Sequence, residues 1–298
     1  MNNPSGNNWG VDIGGTTTII GYIDNAGYKT VSTLQTIPSE GPEELLTRIN
    51  HVISSIDDSP VSIGAGIAGL VDRENGVLIY SPNLINWGKF PFQDRLSKTF
   101  GCPAVIDNDC NAFAIRAVDS EEISPDGLSL LITLGTGIGG TIIHLGTILY
   151  GTGYAGEFGH MTVNAFGEPC ACGSRGCWER YAAAEALIRY FKRAGGDSEN
   201  PDPRIIAHLA KDGNENALKA FREFGEWVGI GLANLSHCLS PSGIYLAGGL
   251  VKAFNLFSEH ARLEFKRRCP YEWNVCALSS CSDAGAEGAA IMGRALSQ

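Results

Sequence analysis

The chain has 298 residues, 44% of them hydrophobic, with 38 Gly, 9 Cys and a formal net charge of −10. That length suits two domains rather than a single core, and the acidic balance excludes a nucleic-acid backbone as the main partner, because phosphate neutralisation needs clustered Lys and Arg. The cysteines are too few and odd in number for a disulfide scaffold. The N-terminus lacks a signal-peptide pattern and no apolar run reaches a span of ~18 residues, so a cytoplasmic protein without a membrane partner is expected.

In chain order, residues 9–13 read as a strand, Gly14-Gly15 as a turn and residues 19–23 as a return strand, together a hairpin. Leu45, Leu46, Ile49, Val52 and Ile53 predict an amphipathic helix over 42–56. Strands follow at 61–67, 76–80 and 104–107, with a short helix at 92–100. Residues 131–143 repeat the opening pattern of strand, Gly/Thr turn and strand, so one fold unit is used twice. A Gly-rich loop and a Cys-dense segment come next, then helical patterns over 178–194, 203–211, 214–239 and 254–268. A strand at 244–246 runs into Gly248-Gly249, and a small-residue helix over 285–295 closes the chain. Such alternation of strands and helices predicts α/β layers.

Gly64, Gly66 and Gly69 match the glycine spacing of a dinucleotide fingerprint, but another strand follows instead of a helix, and Lys89 stands where an acid is needed. Gly88-Lys89 is followed by Phe90, which also rules out a Walker A loop. The two Gly/Thr hairpins offer another way to hold phosphate. Glycine lets backbone N–H groups approach closely and Thr adds hydroxyl donors, while Asp12 suits the hydration shell of a Mg2+ carried by phosphates.

With Asp12-Ile13-Gly14-Gly15-Thr16, Leu134-Gly135-Thr136-Gly137-Ile138-Gly139-Gly140 and Leu246-Ala247-Gly248-Gly249-Leu250, the chain resembles the actin-like sugar kinases, and within them the ROK family of sugar kinases and repressors, over essentially its whole length. The resemblance implies two actin-like (ribonuclease H-like) α/β domains around a central ATP/sugar cleft. Residues 1–116 are expected to form the small domain, with a helix at 285–298 packing back on it, and 117–284 the large one. The phosphate and adenosine motifs would place ATP and Mg2+ at Asp12, Gly14, Gly15, Thr16, Thr17, Gly135, Thr136, Gly137, Gly248 and Gly249.

His160, Cys170, Cys172 and Cys177 lie close in sequence within a Gly/Pro-rich stretch that has no core for three thiols to sit in. One His and three Cys make a closed tetrahedral Zn2+ site, structural rather than catalytic. The same pattern is the structural zinc site of the family, carried here on a loop over 156–179, and its His also reaches the sugar. The other six cysteines, Cys102, Cys110, Cys238, Cys269, Cys276 and Cys281, show no ligand spacing.

Asp107-Asn108-Asp109 follows a strand and opens a helix, which by itself reads as an N-cap cluster, with Asp107 as the cap or as a support behind the reacting residues. The resemblance adds a role: the family's general base matches Asp109, and Asn108 holds a sugar hydroxyl. The other sugar contacts it implies are Gly69, Asn83, Gly137, Glu157, His160 and Glu179, carboxylates being suited to vicinal hydroxyls. Thr17 stands where many relatives carry Lys, and Ala68 where many carry Pro.

The implied function is a hexokinase-type phosphotransferase that uses ATP, with glucose as the favoured acceptor and an N-acetylmannosamine or N-acetylglucosamine kinase as the alternative. A sugar-responsive repressor is the remote alternative, since only eight residues precede Trp9 where a helix-turn-helix domain is needed. Polyphosphate as donor would favour a basic groove that this composition does not show. A homodimer is expected.

Overall fold

The computed structural model describes residues 6–197, 201–279 and 283–297, so Cys281 lies outside the described residues. They gather into two compact units: Met1–Ile123 with Tyr150–Tyr154 and Cys281–Gln298, and Ser124–Leu149 with Ala155–Ser280. The boundary expected at residue 116 falls inside a helix, Asp109–Asp119, and the first unit continues to Ile123.

In the first unit β1 (Asn8–Ile13), β2 (Thr17–Asp24) and β3 (Gly27–Gln35) form an antiparallel meander. Then come α1 (Pro42–Ser54), β4 (Ser62–Ile67), the hairpin of β5 (Leu70–Asp72) and β6 (Val77–Tyr80), α2 (Phe92–Phe100), β7 (Ala104–Asn108) and α3 (Asp109–Asp119). The sheet order is β3-β2-β1-β4-β7, with β1, β4 and β7 parallel. All six residues of β4 are buried, as a parallel strand covered on both faces requires.

Side-chain alternation sorts those faces. Trp9, Val11, Ile13, Ile63, Ala65 and Ile67 join Leu45, Ile49, Phe92 and Leu96 in one core. The intervening Gly10 and Gly64 face the C-terminal helix, Ala284–Ala295, so closely that a Cβ on either would stand 2.0 Å or less from the carbonyl oxygen of Ala286 or Ala289. Asp12 and Gly66 continue that second face.

The strand over Gly27–Gln35 was not legible in the sequence. It is a sheet-edge strand, mostly exposed and polar, and carries no apolar alternation.

The second unit contains β8 (Leu128–Leu134), β9 (Ile138–His144), β10 (Thr147–Ile148), α4 (Glu179–Ala182), α5 (Ala184–Arg193), α6 (Pro203–Lys211), α7 (Glu215–Leu239), β11 (Gly243–Ala247), α8 (Phe254–Arg268) and β12 (Val275–Ala277). Its sheet order is β10-β9-β8-β11-β12, with β8, β11 and β12 parallel and β9 antiparallel to β8. Strand order and direction therefore repeat those of the first sheet. The helix read over 178–194 is two helices, because Ala183 is extended (φ −113°, ψ 178°) and the Ala184 amide donates to the Gly135 carbonyl (2.9 Å). Among the described residues no helix is long and apolar enough to cross a membrane.

Candidate active-site residues

In the first unit the end of β1, the start of α3 and the turn entering β5 bring together most of the residues singled out there. Asp12 and Asp109 both flank Gly66: a Cβ built on that glycine would lie 3.9 Å from Asp12 Oδ1 and 3.4 Å from the Asp109 Cα. Burial, and then the negative charge of Asp109, push the Asp12 carboxyl from an ordinary 3.8 to about 7. Burial also raises Asp109, against the pull of the Cys110 amide (3.0 Å) and of Asn108.

The cap of α3 is Asn108 rather than Asp107. The Asn108 side chain accepts from the Cys110 amide (2.8 Å) in extended backbone geometry, and its Nδ2 donates to the Gly69 carbonyl (2.9 Å). Gly69 has φ +140°, and a Cβ there would meet the Tyr80 carbonyl oxygen at 2.5 Å, so only glycine presents this carbonyl to Asn108. Gly14 closes the β1–β2 turn by donating to the Thr17 carbonyl (2.9 Å); Thr16 and Thr17 are exposed; Gly15 packs against Asn83, whose Cβ would be 2.6 Å from one built on the glycine. Trp87 is core, its indole donating to the Pro38 carbonyl. Gly64 and Gly66, the first two glycines of the fingerprint-like spacing, pack against the C-terminal helix and α3 respectively.

In the second unit Glu179 Oε2 accepts from the Ile138 amide (3.0 Å) and abuts Gly137, where a Cβ would lie 2.3 Å from that oxygen. Glu157 Oε2 stands 3.9 Å from His160 Nε2. The opposite ring nitrogen, Nδ1, faces Cys170 Sγ at 3.8 Å, and Cys172 Sγ lies 3.6 Å from Cys177 Sγ. The ligand atoms of His160, Cys170, Cys172 and Cys177 all fall within 4.8 Å of one another. Sulfur ligands at about 2.3 Å from one tetrahedral zinc stand about 3.8 Å apart, so these four fit that ion and leave no open position. Two antiparallel bridges, Thr162 with Cys177 and Pro169 with Arg175, shape the loop, and the buried Trp178 ties its end to α7 through a hydrogen bond to the Trp227 carbonyl (2.8 Å). The described cysteines outside this set form no disulfide: Cys102, Cys110 and Cys269 are buried, Cys238 and Cys276 exposed.

Gly135, Thr136 and Gly249 line a cavity of about 470 Å³ in the second unit; Gly137 and Gly248 are not in its wall. Gly248 (φ +96°) turns the chain beside Leu134 at the end of β11. The sequence reading missed the far wall, which includes Arg204, His208 and Lys211 from α6, with Lys252. Their i, i+4, i+7 spacing is the signal that would have placed them on one helix face.

Each sheet, with its antiparallel hairpin set beside parallel strands and a Gly/Thr turn at the hairpin tip, is the α/β unit of the actin-like ATPases, used twice. The ROK family model matches residues 8–295, and the chain belongs to the ROK family. It is 32% identical over 308 residues to a glucokinase of Streptomyces coelicolor, covering 96% of both chains, and 30% identical over 256 residues to an N-acetyl-D-glucosamine kinase of Citrobacter koseri, covering 81% of this chain and 84% of that one. Among solved structures it superposes on a ROK family glucokinase from Streptomyces griseus in complex with glucose and AMPPNP, with a TM-score of 0.82 and 31% identity over 97% of this chain and 100% of the other.

Proposed function

We propose that this chain is an ATP-dependent hexokinase-type phosphotransferase, a glucokinase that converts glucose and ATP to glucose 6-phosphate and ADP. The observation that carries the reading is the pair of half-buried carboxylates, Asp12 and Asp109, flanking Gly66 at a helix start where Asn108 is locked to Gly69. Asp109 accepts the proton of the sugar's primary hydroxyl as its oxygen bonds to the γ-phosphorus and the bond to ADP breaks. A carboxyl raised by burial is a stronger base than an exposed one, which suits that step.

In this reading Asn108, Gly69 and Asn83, with Glu157, His160, Glu179 and Gly137, are the sugar-binding residues, offering donors and acceptors to its hydroxyls. Gly14, Gly15, Thr16 and Thr17 meet the phosphates, and Gly135, Thr136, Gly248 and Gly249 the nucleotide, whose base suits the 470 Å³ cavity. Asp12 would hold the hydrated Mg2+ that neutralises charge on the phosphates. His160, Cys170, Cys172 and Cys177 would hold a structural Zn2+, which stiffens the loop carrying Glu157; with Nδ1 on the thiolate side, Nε2 is left for the sugar. Free thiols support a cytoplasmic enzyme. The reading includes a homodimer, for which sedimentation is the test.

Asp109→Asn is expected to keep glucose and nucleotide binding by calorimetry while turnover falls about 10²- to 10⁴-fold; unchanged turnover removes the base role. The alternative acceptor, an N-acetylhexosamine, is favoured by the Citrobacter relative. An ADP-release screen over glucose, mannose, fructose, N-acetylglucosamine and N-acetylmannosamine separates the two, and a flat response across all five refutes both.

A further inference from the structure

Asp107 is a buried acid with no part in the chemistry described above. Its carboxylate has two partners on each oxygen: Oδ1 accepts from the Asn108 amide (2.7 Å) and Asn111 Nδ2 (2.8 Å), and Oδ2 from the Tyr150 hydroxyl (2.8 Å) and Arg73 Nε (3.2 Å). The Arg73 guanidinium also lies over the Tyr150 ring, 4.8 Å from its centre. A carboxylate this buried is costly unless its lone pairs are engaged, and here they are engaged from four directions.

The donors come from informative places. Arg73 directly follows β5, and Gly69, just before β5, accepts from Asn108. One short hairpin therefore grips both residues that precede Asp109. Tyr150 opens the segment Tyr150–Tyr154, which belongs to the first unit although the chain before and after it belongs to the second.

We infer that Arg73, Tyr150 and Asp107 are positioning residues for the phosphoryl-transfer step: together they fix the turn from β7 into α3 at which Asn108 and Asp109 are presented to the sugar. The inference rests on reading Asp109 as the general base. Proton transfer and in-line attack are steep functions of placement, and a shift of about 1 Å at the reacting groups can cost about a hundredfold in rate. Tyr150→Phe is the mildest probe, since it keeps the ring under Arg73 and removes one donor from Asp107. Arg73→Gln, at a partly exposed position, is an independent second probe.

Steady-state kinetics on the purified full chain is expected to show either change lowering kcat about ten- to a hundredfold, with KM for ATP unchanged. Introduced into Asp109→Asn, the same change should add no further loss to the residual rate at saturating sugar, because the base it acts through is already gone and a displaced Asn108 is read in the KM for sugar. A general loss of stability would act in both backgrounds. Losses that multiply across the two backgrounds overturn the proposal, as does unimpaired kcat in both Tyr150→Phe and Arg73→Gln beside an inactive Asp109→Asn enzyme. Full turnover in Asp109→Asn alone defeats the general-base reading and this proposal with it, so the two failures are distinguishable.

Discussion

Asp12 and Asp109 are separated by almost a hundred positions in the chain, yet the charge of Asp109 adds to burial in raising the Asp12 carboxyl. Both were legible as chemistry-bearing residues, one closing a strand before Gly-Gly-Thr and one opening a helix after Asp-Asn. Their proximity was not legible, because it depends on β4 lying between β1 and β7 with Gly66 at the crossing. A consequence follows for the ligand-free protein. The folded state holds the Asp12 proton up to about pH 7 where the unfolded chain releases it near 3.8, so the folded state binds more protons in between. That contribution to stability is complete below 3.8 and is lost as pH rises through 7, amounting to about 4 kcal/mol. The thermal midpoint of Asp12→Asn should accordingly fall less steeply than that of the parent chain between pH 4 and 8; parallel curves would show that Asp12 does not titrate in this window.

Among the elements, two depend on contacts that residue types reveal only in part. That His160 and the three cysteines come together was readable from their spacing, although Cys177 is fully buried where the sequence offered no core for it. The direction of His160, with Nδ1 toward the thiols and Nε2 toward Glu157, was not readable. Metal analysis of the purified protein should find about one zinc per chain, and Cys172→Ser should raise KM for the sugar together with thermal lability. If only stability changes, zinc does not place the sugar contacts. The second element is the C-terminal helix, whose Gly and Ala residues were visible as a small-residue stripe without an address. It lies against Gly10 and Gly64, and Gly288 meets the backbone of Ala112 on α3. Gly64→Val would force a side chain into the Ala289 carbonyl, so we expect more than about 2 kcal/mol of destabilisation in a denaturant titration; a normal unfolding midpoint would mean that the helix is free to shift. The break at Ala183 escaped periodicity because Ala and Glu on both sides are good helix formers, and a single amide bonded to Gly135 decides it.

For the whole molecule, the repeated Gly/Thr hairpin in the sequence corresponds to two sheets of identical strand order. Duplication was legible because both copies keep a Gly/Thr turn at the hairpin tip. The assignment of chain to unit was not, since it is set by packing: the chain leaves the first unit at Ile123, returns for Tyr150–Tyr154 and returns again at Cys281. This weave constrains synthesis on the ribosome. β1 and β4 are made long before the helix that packs on Gly10 and Gly64. Until that helix emerges, this part of the sheet is uncovered and its contacts of longest sequence separation are unmade, a state prone to association with other nascent chains. A stop codon placed after residue 283 should yield chains that accumulate in the insoluble fraction, whereas a stop after residue 296 should not, and the interval between finishing synthesis and gaining activity is the period in which a chaperone would be needed.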